Sequence, residues 1–246
     1  GYMDMGLWRT DDGGASWKSL NVPQYSGGWS DAVGGNTLSV LADPSRADVV
    51  WAQVGGNLEN CNNPCEEPMY LLKSTNRGAN WTQLSTGLPN PIRRLEGLSL
   101  VPTSSATSRR LYVVANGDVY TSGNDGSSWQ LSHNCPNNDC IKTFYTTGGV
   151  LAISPSGIWR LQSGTWQPLS LPLDMTNGWS AGLHYLFDLW DYVGPLDVAS
   201  QGSKLWVAVK GSGKGIYYSA NNGQSWSRVR ADNYARTVEV DPTTSE

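Results

Sequence analysis

The segment Leu7-Trp8-Arg9-Thr10-Asp11-Asp12-Gly13-Gly14-Ala15-Ser16-Trp17 returns along the chain, and this recurrence limits the fold more than any other feature. Its copies are Leu71-Leu72-Lys73-Ser74-Thr75-Asn76-Arg77-Gly78-Ala79-Asn80-Trp81, Val119-Tyr120-Thr121-Ser122-Gly123-Asn124-Asp125-Gly126-Ser127-Ser128-Trp129 and Ile216-Tyr217-Tyr218-Ser219-Ala220-Asn221-Asn222-Gly223-Gln224-Ser225-Trp226. A shortened copy is Ile158-Trp159-Arg160-Leu161-Gln162-Ser163-Gly164-Thr165-Trp166. The shared core, here called the box, reads Ser/Thr-x-Asp/Asn-x-Gly-x-Ser/Thr/Asn-Trp. The apolar run ahead of it predicts a strand. Short Ser/Thr and Asp/Asn side chains bond nearby backbone N–H groups and so fold a turn. Gly14, Gly78, Gly126 and Gly223 supply a conformation that a Cβ would obstruct. The Trp opens the next strand and packs its ring back over the turn, burying a large apolar surface. Each copy is therefore a β-hairpin with an aromatic lock. These residues build the fold and are expected to touch no ligand.

The pattern resembles the Asp-box, or bacterial neuraminidase repeat, of β-propellers. Three copies carry Asn76, Asn124 or Asn221 where that family usually has Asp, which keeps the acceptor oxygen. The resemblance implies an all-β chain: a β-propeller of four-stranded blades with Asp-box turns, incomplete, with about five blades represented. The locking Trp residues at 17, 81, 129, 166 and 226 are 64, 48, 37 and 60 residues apart. Blades of about 40–50 residues, two of them with insertions, fit that spacing. Two further strands precede the second box, over Thr37–Leu41 and Val49–Val54 around the turn Asp43-Pro44. Two more precede the third, over Gly97–Val101 and Leu111–Val114. Thr237-Val238-Glu239-Val240-Asp241-Pro242 repeats a first strand and its turn, while Gly1 enters just ahead of a third strand. Residues 1–246 are thus a single five-bladed ring or, the preferred reading, an excerpt of a larger propeller whose remainder lies in a longer chain.

Composition narrows the class. The chain has 246 residues with 28 Gly, 12 Trp and 11 Tyr, and only 15% are charged. That aromatic content buries enough apolar surface to offset ordering entropy, which excludes a disordered chain. A helical bundle would be rich in Ala, Glu, Lys and Leu instead. No stretch reaches the roughly 18–20 apolar residues of a membrane-spanning helix. A net charge of -4 argues against a nucleic-acid surface.

The four cysteines form two close pairs, Cys61/Cys65 and Cys135/Cys140, in polar Asn/Pro-rich loops. Two local disulfides are preferred to a zinc site, because the spacings are not C-x-x-C and only His133 lies near by. Disulfides imply an extracellular or periplasmic setting. The sequon Asn80-Trp81-Thr82 is compatible with glycosylation. No cofactor or metal motif is present, and no EF-hand spacing occurs among the Asn-rich loops.

In the propeller family ligands usually meet the face opposite the box turns. Here that face takes in the loops over about 21–36, 54–69, 131–142 and 168–198, and both cysteine pairs. Trp29, Trp179 and Trp190 lie in those loops outside any box. Sugars present flat C–H faces on which such rings stack, while neighbours such as Asp31, Asp188 and Asp191 take hydroxyls; the alternative is that each Trp caps its blade core. The insertion 168–198 places Leu183, Leu186, Phe187, Trp190 and Val193 at helical spacing before Gly194-Pro195, which predicts a short helix as a lid or a partner ridge.

An enzyme would need two carboxyl groups for glycoside hydrolysis. Asp4, Asp31, Glu59, Glu66, Glu67, Asp188 and Asp191 lie on the loop face. Asp4-Met5-Gly6-Leu7-Trp8-Arg9 resembles the D-x-G-G-[LF]-[YW]-R stretch of xyloglucan-hydrolysing Asp-box glycosidases, with one Gly fewer, and the resemblance implies that Asp4 is catalytic. No R-I-P motif supports a sialidase; Pro91-Ile92-Arg93-Arg94 is a scrambled echo. A sortilin-like receptor would add a Cys-rich region. The preferred function is a binding or scaffold module for a polysaccharide or protein ligand; the alternative is a glycosidase acting on β-glucan such as xyloglucan.

Overall fold

A computed structural model describes residues 6–20, 37–55, 68–155, 157–172 and 194–241. Among these the chain forms strands, with one 3-10 turn at Pro136–Asn138. It divides into two compact units, residues 1–132 and 133–246. The first holds the hairpin β1 (Trp8–Arg9) and β2 (Lys18–Ser19), then two sheets. One is β3 (Thr37–Ala42), β4 (Val50–Gly55), β5 (Met69–Ser74) and β6 (Thr82–Gln83). The next is β7 (Leu95–Val101), β8 (Arg110–Ala115), β9 (Asp118–Ser122) and β10 (Gln130–His133), which runs to the unit boundary. The second unit holds β11 (Lys142–Thr146), β12 (Gly149–Ser154), β13 (Gly157–Gln162) and β14 (Thr165–Leu169). Its other sheet is β15 (Gly194–Gln201), β16 (Lys204–Lys210), β17 (Gly215–Ser219) and β18 (Ser227–Ala231). Each sheet is a four-stranded antiparallel meander in sequence order, the form of a propeller blade.

The second strand of each sheet explains why these segments fold this way. β4, β8, β12 and β16 are nearly continuous apolar runs, and Trp51, Ala52, Leu111, Val113, Leu151, Ile153, Leu205 and Val207 are wholly buried. A strand covered on both faces needs no polar alternation. In the second unit Leu151, Ile153 and Ile158 from one sheet share a core with Val198, Leu205, Val207 and Val209 from the next. Each such side chain contributes about 1.5–3 kcal/mol of burial.

The boxes share one hydrogen-bond scheme. The Ser/Thr hydroxyl accepts the N–H of the box glycine: Thr10 from Gly14 at 2.8 Å, Ser74 from Gly78 at 2.7 Å, Ser122 from Gly126 at 2.9 Å and Ser219 from Gly223 at 2.8 Å. The Asp/Asn oxygen accepts an N–H four residues on: Asp12 from Ser16, Asn76 from Asn80, Asn124 from Ser128 and Asn221 from Ser225, at 2.8–3.0 Å. The shortened copy replaces this scheme with a two-residue turn, Ser163-Gly164, both at positive φ as in a type I′ hairpin.

The box glycine also has a second role that the repeat pattern did not reveal. A Cβ at Gly78 would lie 2.5 Å from Leu20 Cδ1, one at Gly126 2.6 Å from Leu84 Cδ1, and one at Gly223 2.8 Å from Leu169 Cδ1. Each leucine stands three residues after the locking Trp of the preceding copy. The glycine is thus the seat on which one sheet's outer strand rests against the next sheet's box.

Two expectations are corrected. The locking rings differ in burial: Trp129 is 5% exposed, Trp81 and Trp226 are half-buried, and Trp17 is 58% exposed. No described residue except Trp17 comes within 4 Å of a Cβ at Gly14, so the first box lacks the leucine that covers the others. Residues 237–240 do not form a strand. The Val238 N–H instead donates to Asp197 Oδ2 of β15 at 3.1 Å. β14 and β15 also reach into both ends of the stretch 168–198, so the connection itself is 170–193. The helix expected over Leu183–Val193 lies outside the described residues.

Candidate functional site

The meander gives each sheet two unlike ends. The turn between first and second strands shares an end with the box; the link between second and third strands shares the other with the connection to the next sheet. The long connections all leave from the end opposite the boxes. One leaves at Leu20 and returns at Thr37; a second leaves at Gly55 and returns at Met69; a third leaves at Leu169 and returns at Gly194. Asp4, Trp29, Asp31, Glu59, Glu66, Glu67, Trp179, Asp188, Trp190 and Asp191, with Cys61 and Cys65, lie outside the described residues.

Among the described residues at that end, the first unit builds a braced corner. Asn116 Oδ1 accepts the Arg93 and Arg94 N–H groups at 2.8 and 3.1 Å, and Asn116 Nδ2 donates to Pro91 O at 3.1 Å. The Asn90–Pro91 peptide is cis, and Met69 N donates to Ile92 O at 2.8 Å. Arg94 lies 3.6 Å from Glu96. In the second unit Cys135 and Cys140 form a disulfide around Pro136–Asn138. Toward the turn of the shortened copy rather than this end, His133 stacks on its Trp166 with ring centroids 5.2 Å apart and meets Trp159 at 5.6 Å. The Asn233 Oδ1 accepts the Gly213 N–H at 2.9 Å, and Tyr234 stands 64% exposed beside it. These groups shape the roots of the loops.

The box end carries the concentrated charge. In the first unit Asp125, the residue before the third box glycine, accepts from Arg46 Nη1 and Nη2 at 2.7 and 2.8 Å and from Lys73 Nζ at 2.9 Å. Asp43, in the turn between β3 and β4, is gripped by Arg109 Nε and Nη2, both at 2.9 Å, and by Arg46 Nε at 2.8 Å. Arg46 and Lys73 also lie over the Trp51 ring, each 5.8 Å from its centroid. Burial pushes the Asp125 carboxyl up, but the bonds from Arg46 and Lys73 outweigh it and hold it down at about 2. The Arg109 bond, against the cost of burial, holds Asp43 far below the usual carboxylate range. The bonds from Asp125, opposed by burial, raise Arg46 above an ordinary guanidinium. These charges are spent on each other. They pin the β3–β6 sheet to the β7–β10 sheet, and each acid and base of this network is paired.

No family model matches the sequence, and no curated protein matches it. Solved structures do. A GH74 xyloglucanase from Xanthomonas campestris aligns over 94% of this chain and 43% of its own, at 16% identity and a TM-score of 0.57. A GH74 enzyme from Niastella koreensis aligns over 92% and 42%, at 14% identity and a TM-score of 0.52. YCF48 bound to D1 peptide aligns over 89% and 59%, at 18% identity and a TM-score of 0.51.

The fold is an incomplete β-propeller.

At these identities the likeness speaks for the fold alone. The chain spans less than half the length of the two GH74 enzymes. Among the described residues no helix is long and apolar enough to cross a membrane.

Proposed function

We propose that this chain is an Asp-box propeller module that binds a glycan or a protein segment at the strand ends opposite its boxes. The observation that carries the reading is the asymmetry of the sheets. Their box ends are closed by short, internally bonded turns and, in the first unit, by ion pairs, while the long connections leave from the other end, where the Cys135–Cys140 disulfide clamps the shorter link between β10 and β11. Propeller loops rooted on a rigid sheet are suited to recognition. In this reading Trp29, Trp179 and Trp190 stack on the ligand, and Asp31, Asp188 and Asp191 take its polar groups. The disulfide supports an extracellular or periplasmic setting.

A second reading, hydrolysis of a β-glucan such as xyloglucan, is favoured by the GH74 likeness and by Asp4 in Asp4-Met5-Gly6-Leu7-Trp8-Arg9. It requires a second carboxylate at catalytic separation from Asp4. The test uses the intact parent protein with xyloglucan, other β-glucans and sialosides, measuring both retention and released sugar. Binding without release, weakened roughly tenfold by alanine at Trp29, Trp179 or Trp190, is the result expected from one lost stacking contact. Sugar release that disappears in Asp4→Ala establishes the hydrolase instead.

A further inference from the structure

The ion network of the first unit has a counterpart in the second unit with one charge missing. Lys73, the residue before the second box serine, corresponds by position to Arg160 in the shortened copy. Asp125, the residue before the third box glycine, corresponds to Asn222 before Gly223. The backbones match as well. The Asp125 N–H donates to Arg109 O at 3.1 Å, and the Asn222 N–H donates to Ser203 O at 2.8 Å, each in the first turn of its own sheet. Both residues adopt positive φ, 64° and 57°.

The side chains do not match. The seven-residue turn that carries Asp43 and Arg46 is cut to Thr147-Gly148 in the second unit, which removes both charges. Arg160 is 6% exposed, and neither its Nε nor its Nη2 has a hydrogen-bond partner. Burial alone lowers its pKa, with no neighbouring charge acting on it. The Asn222 Oδ1 is buried without a partner too. Arg160 Nη2 lies 3.6 Å from the Cβ position of Gly223 in the fourth box, and Asn222 Oδ1 lies 2.5 Å from that of Gly148.

A guanidinium stays charged at any ordinary pH, and a buried charge left unpaired costs several kcal/mol. The two orphaned nitrogens matter because they form one edge of the fork, with parallel N–H bonds. Arg109 uses that same Nε/Nη2 edge to hold both oxygens of Asp43. We propose that Arg160 binds a small monovalent anion, a carboxylate or a halide, at this edge, between β13 and the fourth box. The anion supplies the negative charge that Asp125 gives Lys73 in the first unit and that Asn222 lacks. The site is a device of the fold and stands apart from the loop-end reading above.

Thermal unfolding of the chain tests it in low-salt buffer, with formate or chloride titrated against gluconate at equal ionic strength. A ligand bound only by the folded state raises Tm with the logarithm of its concentration, by about 3–6 °C for each tenfold increase above its Kd. Formate and chloride are expected to raise Tm, with gluconate, too large for the spot, leaving it flat. Asn222→Asp supplies the carboxylate internally and is expected to raise Tm and remove the anion dependence. In parallel, the Arg160 Nε–H resonance should shift saturably with formate. Equal effects of all three anions, or an unmoved resonance, would overturn the proposal. So would a formate response that persists unchanged in a folded Asn222→Asp chain, which would place the anion elsewhere. Should that variant fail to fold, the resonance titration on the natural chain decides alone.

Discussion

The third and fourth boxes present the same backbone with opposite electrostatics. In the third, Asp125 ties Arg46 and Lys73 of the preceding sheet into a closed network. In the fourth, Asn222 carries no charge, and the Nε and Nη2 of Arg160 have no hydrogen-bond partner. The Ser/Thr and Asp/Asn bonds are the same in both, and so is the leucine seated on the glycine. The turn is therefore fixed by bonds within a few residues, and the residue before the glycine is left free to set how one sheet is held to the next.

The largest effect is expected at Asp125. Asp125→Asn would leave Arg46 and Lys73 without their anion and should cost about 3 kcal/mol, read by denaturant unfolding. Asn222→Asp should move stability the other way, so the two substitutions have opposite signs. Acid sharpens the contrast. The Asp125 carboxyl is depressed in the folded state to about 2 from an ordinary 3.8. Its contribution is fully present above pH of about 4 and is lost as pH falls through about 2. Stability measured across that window should fall less steeply in Asp125→Asn than in the natural chain.

The glycines come next. Gly126→Ala brings a Cβ to 2.6 Å from Leu84 Cδ1 at a φ of 87°, and should cost about 2–3 kcal/mol from overpacking and backbone strain together. Gly14→Ala meets only Trp17, at 3.9 Å, so backbone strain alone should cost about 1 kcal/mol. Comparable losses at the two positions would remove the seat argument. The smallest effect is expected for Asn124→Asp. The first box already shows the outcome, since Asp12 accepts both the Ser16 N–H and the Ser16 hydroxyl. A change within about 0.5 kcal/mol by thermal unfolding is predicted.

Most of the turn chemistry was legible in the sequence because its partners lie within four residues of each other. The strands expected over 37–41 and 97–101 followed from their apolar runs and are found at 37–42 and 95–101. The network was not legible, since Arg46 and Asp125 are 79 residues apart. The leucine seat could have been found: Leu20, Leu84 and Leu169 all stand three residues after a locking Trp. Exposure of Trp17 was missed because a box pattern says nothing of what covers it. The candidate ligand residues sit in stretches outside the box repeat, and composition could nominate their rings without placing them. Of the cysteine pairs, Cys135–Cys140 is formed, a pairing that short separation in a Pro-Asn loop already suggested.

The central claim is that the box ends hold the fold and the opposite ends meet the ligand. The most direct measurement compares ligand affinity and Tm for the intact parent protein with substitutions at each end. Asp125→Asn and Gly126→Ala should lower Tm and leave the Kd for the bound glycan or peptide unchanged. Alanine at Trp29, Trp179 or Trp190 should weaken Kd roughly tenfold and leave Tm unchanged. Loss of affinity from the box-end variants at temperatures where they remain folded would contradict the account.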